Sequence, residues 1–197
     1  MRRSNKTSLR IAATALTAIG SALATSSGCG SSRNVYTAPA EGRRDTVKAQ
    51  RLNQRAADLI TTDPDESERL LREALAADLY YGPAHNNLGV VYLTRGSLYE
   101  AAHEFEWARK LLPGDPDPRL NLAITLEQAG RIDDAINTYQ TALDVRPEHL
   151  PTIEALARCR VINKQRTVET VQLLKTIALR SSPTWRDWAH RQLIQHE

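Results

Sequence analysis

The stretch "NNLGVVYLTRG", Asn86 to Gly96, comes back 34 residues later as "LNLAITLEQAG", Leu120 to Gly130. A fixed period of this length decides the architecture before any single residue is weighed, because a unit that repeats must pack on its own copies. The period extends well past the quoted stretch. Leu88, Gly89, Tyr92, Ala101, Phe105, Ala108 and Pro113 recur as Leu122, Ala123, Leu126, Ala135, Tyr139, Ala142 and Pro147, every pair 34 apart.

Within one period the apolar residues have helical spacing. Leu98, Ala101, Ala102, Phe105, Ala108 and Leu112 follow steps of three and four, and Ile132, Ala135, Ile136, Tyr139, Ala142 and Leu143 repeat them, so each set lines one face of a helix. Small residues let two helices approach closely, which places Gly89 and Ala123 opposite Ala101 and Ala135, with Phe105 and Tyr139 expected between successive units. Gly96 and Gly130 read as left-handed turn residues, and Ser97 with Glu100 has the spacing of a capping box. Pro113 and Pro147 close each unit.

These residues resemble the tetratricopeptide repeat, with His85 standing where the family often has Trp. The resemblance implies an all-α fold, a right-handed α-solenoid of antiparallel helix pairs. The period continues outward in weaker form. Leu52, Ala56, Leu59 and Ile60, followed by Asp63-Pro64-Asp65-Glu66 and Leu70, Leu71, Ala74 and Leu75, give a slightly shortened first unit. Ile153, Leu156, Ala157, Val161, Val171, Leu174, Ile177 and Ala178 give a fourth without a glycine turn. The repeat domain is therefore expected over 45–197, with units of about 46–81, 82–115, 116–149 and 150–182 and a C-terminal capping helix over 183–195. In that cap Trp185, Trp188, Ala189 and Leu193 would cover the last unit, since a solenoid needs a closed end; the alternative use of the two tryptophans is to anchor a partner.

The first 28 residues differ in composition. Arg2, Arg3, Lys6 and Arg10 precede the apolar run "IAATALTAIGSALA", which falls short of the roughly 20 apolar residues of a membrane span and reads as a signal peptide; the alternative is an uncleaved anchor. At its end "TSSGCG" resembles the lipobox of bacterial lipoproteins, apart from Ser26, where an aliphatic residue is usual. That resemblance implies cleavage behind Gly28, lipidation of Cys29, and membrane attachment through two or three acyl chains at roughly 0.8 kcal/mol per buried methylene. Gly30 lacks the aspartate of inner-membrane retention, which favours an outer-membrane anchor facing the periplasm. The competing cleavage, behind Ala24, would release a soluble periplasmic or secreted protein with a free Cys29, which could then bridge to Cys159 in an oxidising compartment. Residues 29–44 have the composition of a flexible tether, able to hold the repeats on the order of 20 Å from a membrane.

The basic pI of about 9.0 belongs to the leader. Four of the 26 Lys and Arg and none of the 23 Asp and Glu precede Cys29, leaving 22 against 23. A nucleic-acid partner, which needs a clustered cationic footprint, is excluded on this ground. Residues 63–147 carry 8 basic against 15 acidic side chains; this either steers a basic partner or is an ordinary solvated surface.

In the family the first helix of each unit lines the concave side. Aligned by its own period, this chain places Asn86, Val90, Leu93 and Thr94, then Leu120, Ile124, Glu127 and Gln128, on that side. They form a mostly apolar groove for a peptide or helix of another protein. Asn87 and Asn121 are assigned to local structure. The lysines with which some relatives clamp a peptide carboxylate are missing. An enzyme is not expected. The one metal-like spacing, Glu100-x-x-His103, lacks the second copy and extra glutamates of a di-metal site, and there is no nucleophile motif or phosphate loop, so no catalytic residue, metal or cofactor is assigned. The expected role is a non-catalytic interaction scaffold anchored in the bacterial envelope. The alternative is a structural or assembly subunit of an outer-membrane, pilus or secretion complex.

Overall fold

The computed structural model describes residues 44–195; the leader, Cys29 and all but the last residue of the tether lie outside them. Among the described residues there are nine helices and no strand: α1 Thr46–Ala57, α2 Pro64–Ala77, α3 Gly82–Thr94, α4 Leu98–Leu111, α5 Asp117–Gln128, α6 Ile132–Val145, α7 Leu150–Ile162, α8 Val168–Arg180 and α9 Pro183–Ile194. Each helix packs on the next, and α1, α3, α5 and α7 also touch one another in series. This is a stack of antiparallel helix pairs, an α-solenoid, with the odd-numbered helices as a continuous inner wall.

The hairpin turns follow the 34-residue period more closely than the sequence indicates. Gly96 and Gly130 have φ of 74° and 76°. The next amide in each turn donates back to the helix, Ser97 N to Tyr92 O at 3.0 Å and Arg131 N to Leu126 O at 2.9 Å, the bond that satisfies an orphan carbonyl at a helix end. A further 34 residues on, Lys164 has φ of 57° and Gln165 N donates to Arg160 O at 2.8 Å. The fourth unit therefore keeps the same turn with lysine in the glycine's place, at a cost of about 1 kcal/mol for a left-handed residue with a Cβ. Asn163 helps to hold it through a 2.8 Å bond from its amide to Cys159 O.

Helix starts are uneven. Asp45, Asp63 and Thr167 accept bonds from the amides of Lys48, Glu66 and Thr170. The capping box expected at Ser97 does not form, for Ser97 makes no side-chain cap bond. Its ψ is 70°, close to the 73° and 78° at Asp45 and Asp63, where the longer aspartate reaches the amide and a serine hydroxyl does not. The other half of the box is closed as well, since Ser97 N is already bonded to Tyr92 O.

One packing expectation is extended and another corrected. The Phe105 ring lies over Gly89 inside its own hairpin, so close that a Cβ on Gly89 would sit 2.6 Å from ring carbon Cε1; the same ring packs onward against Leu122 of the next unit. The first unit is longer than the others. The buried face of α1, Ala49, Leu52, Asn53 and Ala56, matches His85, Leu88, Gly89 and Tyr92 at a spacing of 36, whereas α2 matches α4 at 34. The α1–α2 turn holds the two extra residues, so Leu59 and Ile60 sit in that turn, packed against the first core cluster. At the far end Trp185 and Trp188 meet edge to face at 5.2 Å and pack with Leu193 against Leu174 and Ile177, covering the last pair.

Candidate partner-binding groove

The inner wall is bonded across unit boundaries by asparagines. Asn87 Nδ2 donates to Asn53 Oδ1 at 2.9 Å, tying α3 to α1, and Asn121 Nδ2 donates to Asn86 Oδ1 at 3.0 Å, tying α5 to α3. The series ends at α7, where the next position is Ala155. An amide pair of this kind fixes the spacing of two helices and leaves no acceptor orphaned. Asn86 is thus engaged within the wall.

The other groove candidates divide into available and committed side chains. Val90 and Leu93 are half-buried against the Phe105–Leu122 cluster, and Ile124 against the next. Thr94 and Gln128 are exposed, the Thr94 hydroxyl donating to Val91 O at 2.8 Å. Leu120 leaves the set. It is 9% exposed and packs with Ala123, Tyr139 and Leu156, because α7 covers α5 at the position that Asn86 occupies one unit earlier. Glu127 is also committed. Its carboxylate accepts the Tyr139 hydroxyl at 2.9 Å and pairs with Arg158 at 3.1 Å, joining α5, α6 and α7. The Tyr139 phenol is raised by burial and by the Glu127 carboxylate beside it.

Several wall residues escape the sequence reading. With the 36-residue offset of α1, Val47, Gln50, Arg51 and Gln54 correspond to Pro83, Asn86, Asn87 and Val90, and together with Arg55 they line an open hollow of about 420 Å³. On α7 the same stations are Glu154, Arg158 and the 62% exposed Ile162. Along the wall the groove is therefore polar at α1, apolar at Val90 and Ile124, and charged at α7. The signal for α1 was its own buried face, which is out of step with the 34-residue register.

Behind the wall lies a buried polar pair. His85, fully buried, places Nδ1 2.7 Å from Glu104 Oε2 and Nε2 2.9 Å from Leu79 O, and its ring stacks on Trp107 at 5.6 Å. A carbonyl can only accept, so Nε2 donates to it, and one further proton lies between Nδ1 and the carboxylate. Histidine can stand in the usual tryptophan position because this glutamate meets it.

Among the described residues no three His, Cys, Asp or Glu could hold a metal ion. Glu100 and His103 are both exposed. The Cys159 thiol is buried and pushed up to about 11, by burial first and then by Glu127, the opposite of an activated nucleophile. No helix among the described residues is long and apolar enough to cross a membrane.

Two family models described as tetratricopeptide repeat match the chain, over residues 61–117 and 95–159. Residues 61–159 of the chain are therefore tetratricopeptide repeats. Solved structures agree on the fold. MamA from Desulfovibrio magneticus superimposes with a TM-score of 0.59 at 17% identity, covering 68% of this chain and 78% of that one. The first tetratricopeptide domain of Spaghetti (RPAP3), bound to the HSP90 peptide SRMEEVD, gives 0.58 at 16% identity, covering 62% and 99%. Among curated proteins, Superkiller complex protein 3 of Mus musculus is 28% identical over 92 residues, 47% of this chain and only 6% of its own length. At such identities the tetratricopeptide likeness concerns the fold.

Proposed function

We propose that this tetratricopeptide protein is a non-catalytic scaffold that holds an extended or helical segment of a partner protein in its concave groove. The proposal includes a lipid anchor at Cys29 that keeps it in the bacterial envelope, on the outer membrane facing the periplasm. The observation that carries the groove reading is the pairing of Val90 with Ile124, two partly exposed apolar side chains at one repeat station, on a wall held rigid by the Asn53–Asn87 and Asn86–Asn121 bonds. A preformed wall lowers the ordering cost of binding, and an apolar centre with polar ends suits a segment that buries apolar residues and bonds its backbone at the rims. The RPAP3 neighbour, solved with a peptide, supports the mode. Its acidic peptide does not transfer, because the clamp lysines are missing and the Arg158 cation is paired with Glu127.

Substituting Val90→Arg together with Ile124→Arg is expected to keep the helical circular-dichroism signal and abolish the partners recovered by crosslinking in cells. Partners retained at wild-type yield would move binding off this groove. For the anchor, Cys29→Ala is expected to lose incorporated labelled fatty acid and to leave the membrane fraction; unchanged membrane retention would reject lipidation as the attachment.

A further inference from the structure

On the outer side of the stack one station changes in size from repeat to repeat. In the second unit Tyr92 rises from α3 between α2 and α4, and its hydroxyl receives a 2.7 Å bond from Arg72 Nη2 and lies 3.4 Å from Glu68 Oε1. One period later the residue is Leu126, which is shorter and has no polar end. In the fourth unit it is Arg160, again large and 8% exposed. Of the second, third and fourth units only the third has a short side chain at this station, and there an open cleft of about 340 Å³ lies between α4 and α6. Leu122 and Leu126 form its floor, and Ala102 and Glu106 line one side. These two are the period equivalents of Glu68 and Arg72, the residues that meet the Tyr92 hydroxyl.

We infer that this outer cleft is a second binding site, which takes a tyrosine side chain of a partner protein in the place that Tyr92 fills one unit earlier. The ring lies on Leu122 and Leu126, and its hydroxyl donates to the Glu106 carboxylate. Ala102, where the preceding unit has Glu68, gives the ring room. Charge favours a neutral donor over a cation: Glu106 is paired with Arg109 at 2.7 Å and Asp134 with Arg131 at 2.6 Å, so the rim holds balanced ion pairs, and a carboxylate in such a pair still has lone pairs for an O–H. The volume falls at the low end of small-ligand sites, roughly 300–1,000 Å³. This site is separate from the concave groove and does not depend on it.

The test is a methyl-resolved NMR titration of the full chain with p-cresol, the side chain of tyrosine. Saturable shifts at Leu122 and Leu126 are expected, with a dissociation constant on the order of 1 mM for so small a probe. Toluene, which lacks the donor, should bind about 3- to 10-fold more weakly, the effect of one hydrogen bond. Leu126→Tyr fills the cleft from within and should weaken p-cresol binding more than about 10-fold, while Glu106→Leu, on a half-exposed helix surface, should reduce p-cresol to the level of toluene. The inference is overturned if toluene equals p-cresol on the wild type, if n-butylammonium binds more tightly than p-cresol, or if the shifts fall at Val90 and Ile124. It is equally overturned if folded Leu126→Tyr binds p-cresol unchanged.

Discussion

The second and third helix pairs, α3/α4 and α5/α6, share one backbone plan and fill it in opposite ways. In α3/α4 a glycine lies under Phe105, a histidine–glutamate pair is buried beneath the wall, and Tyr92 closes the outer side. In α5/α6 the same stations hold Ala123, Thr138 at the place of Glu104, and Leu126, and the outer side stays open. The period fixes where helices and turns go. Side-chain volume and hydrogen-bonding capacity at a few stations then decide whether a unit is sealed or offers a surface.

The largest effect that would sharpen this contrast is at the buried pair. Glu104→Ala removes the 2.7 Å partner of a fully buried ring nitrogen and should cost up to about 3 kcal/mol, the desolvation penalty of a buried polar group that loses its partner. Its counterpart Thr138→Ala, on a hydroxyl bonded to Asp134 O, should cost less than about 1 kcal/mol. Urea midpoints at unchanged slope measure both, and equal losses would break the comparison.

Next comes the close approach. Gly89→Ala gains up to about 1 kcal/mol of helix propensity but drives a Cβ to 2.6 Å from the Phe105 ring. A net loss of about 1–3 kcal/mol from overpacking is expected, relieved by adding Phe105→Leu. A Gly89→Ala variant with a raised melting temperature would show that the ring yields.

Alkaline pH separates the units more gently. Burial pushes the Tyr92 phenol up to about 12 against 10 in the unfolded chain. A folded value above the unfolded one means that the stabilisation is complete below pH 10 and is lost as pH rises through 12. Cys159, pushed up to about 11 from 9 by burial, starts the same decline earlier, above pH 9. The thermal midpoint should therefore fall progressively above pH 9, and Tyr92→Phe should make the fall between 10 and 12 shallower, leaving the share of Cys159 and Tyr139. A midpoint constant to pH 12 would contradict the burial of both groups.

The smallest effect lies in the turns. Lys164→Gly relieves a left-handed residue and should stabilise by about 0.5–1 kcal/mol, whereas Gly130→Ala should destabilise by a similar amount. Matched urea curves on the two variants, moving in opposite directions, are the expected result.

Much of the fold was legible in the residues. Gly96, Gly130 and the apolar series from Leu98 and Ile132 place the turns and helices of the two central units, because a left-handed turn and a buried helical face each restrict residue type strongly. Other features were not legible. Lys164 holds a glycine position without a glycine, since the turn's backbone bond offsets a penalty of only about 1 kcal/mol. The α1 register was hidden by two extra turn residues that leave no compositional mark.

Less of the groove could be read. Val90, Thr94, Ile124 and Gln128 keep surface on the wall, but Leu120 is core and Glu127 serves Tyr139 and Arg158. A station in a repeat names a direction on its helix; what covers that direction depends on the neighbouring unit.

The residue order alone dictates an all-helical stack of paired helices, because periodic small and large residues at helical spacing can bury their apolar faces only on copies of themselves. Which stations are sealed, which carboxylates are engaged and where a cleft opens come from the packing of one unit on another, because those outcomes depend on distances between side chains of different units, which no spacing along the chain specifies.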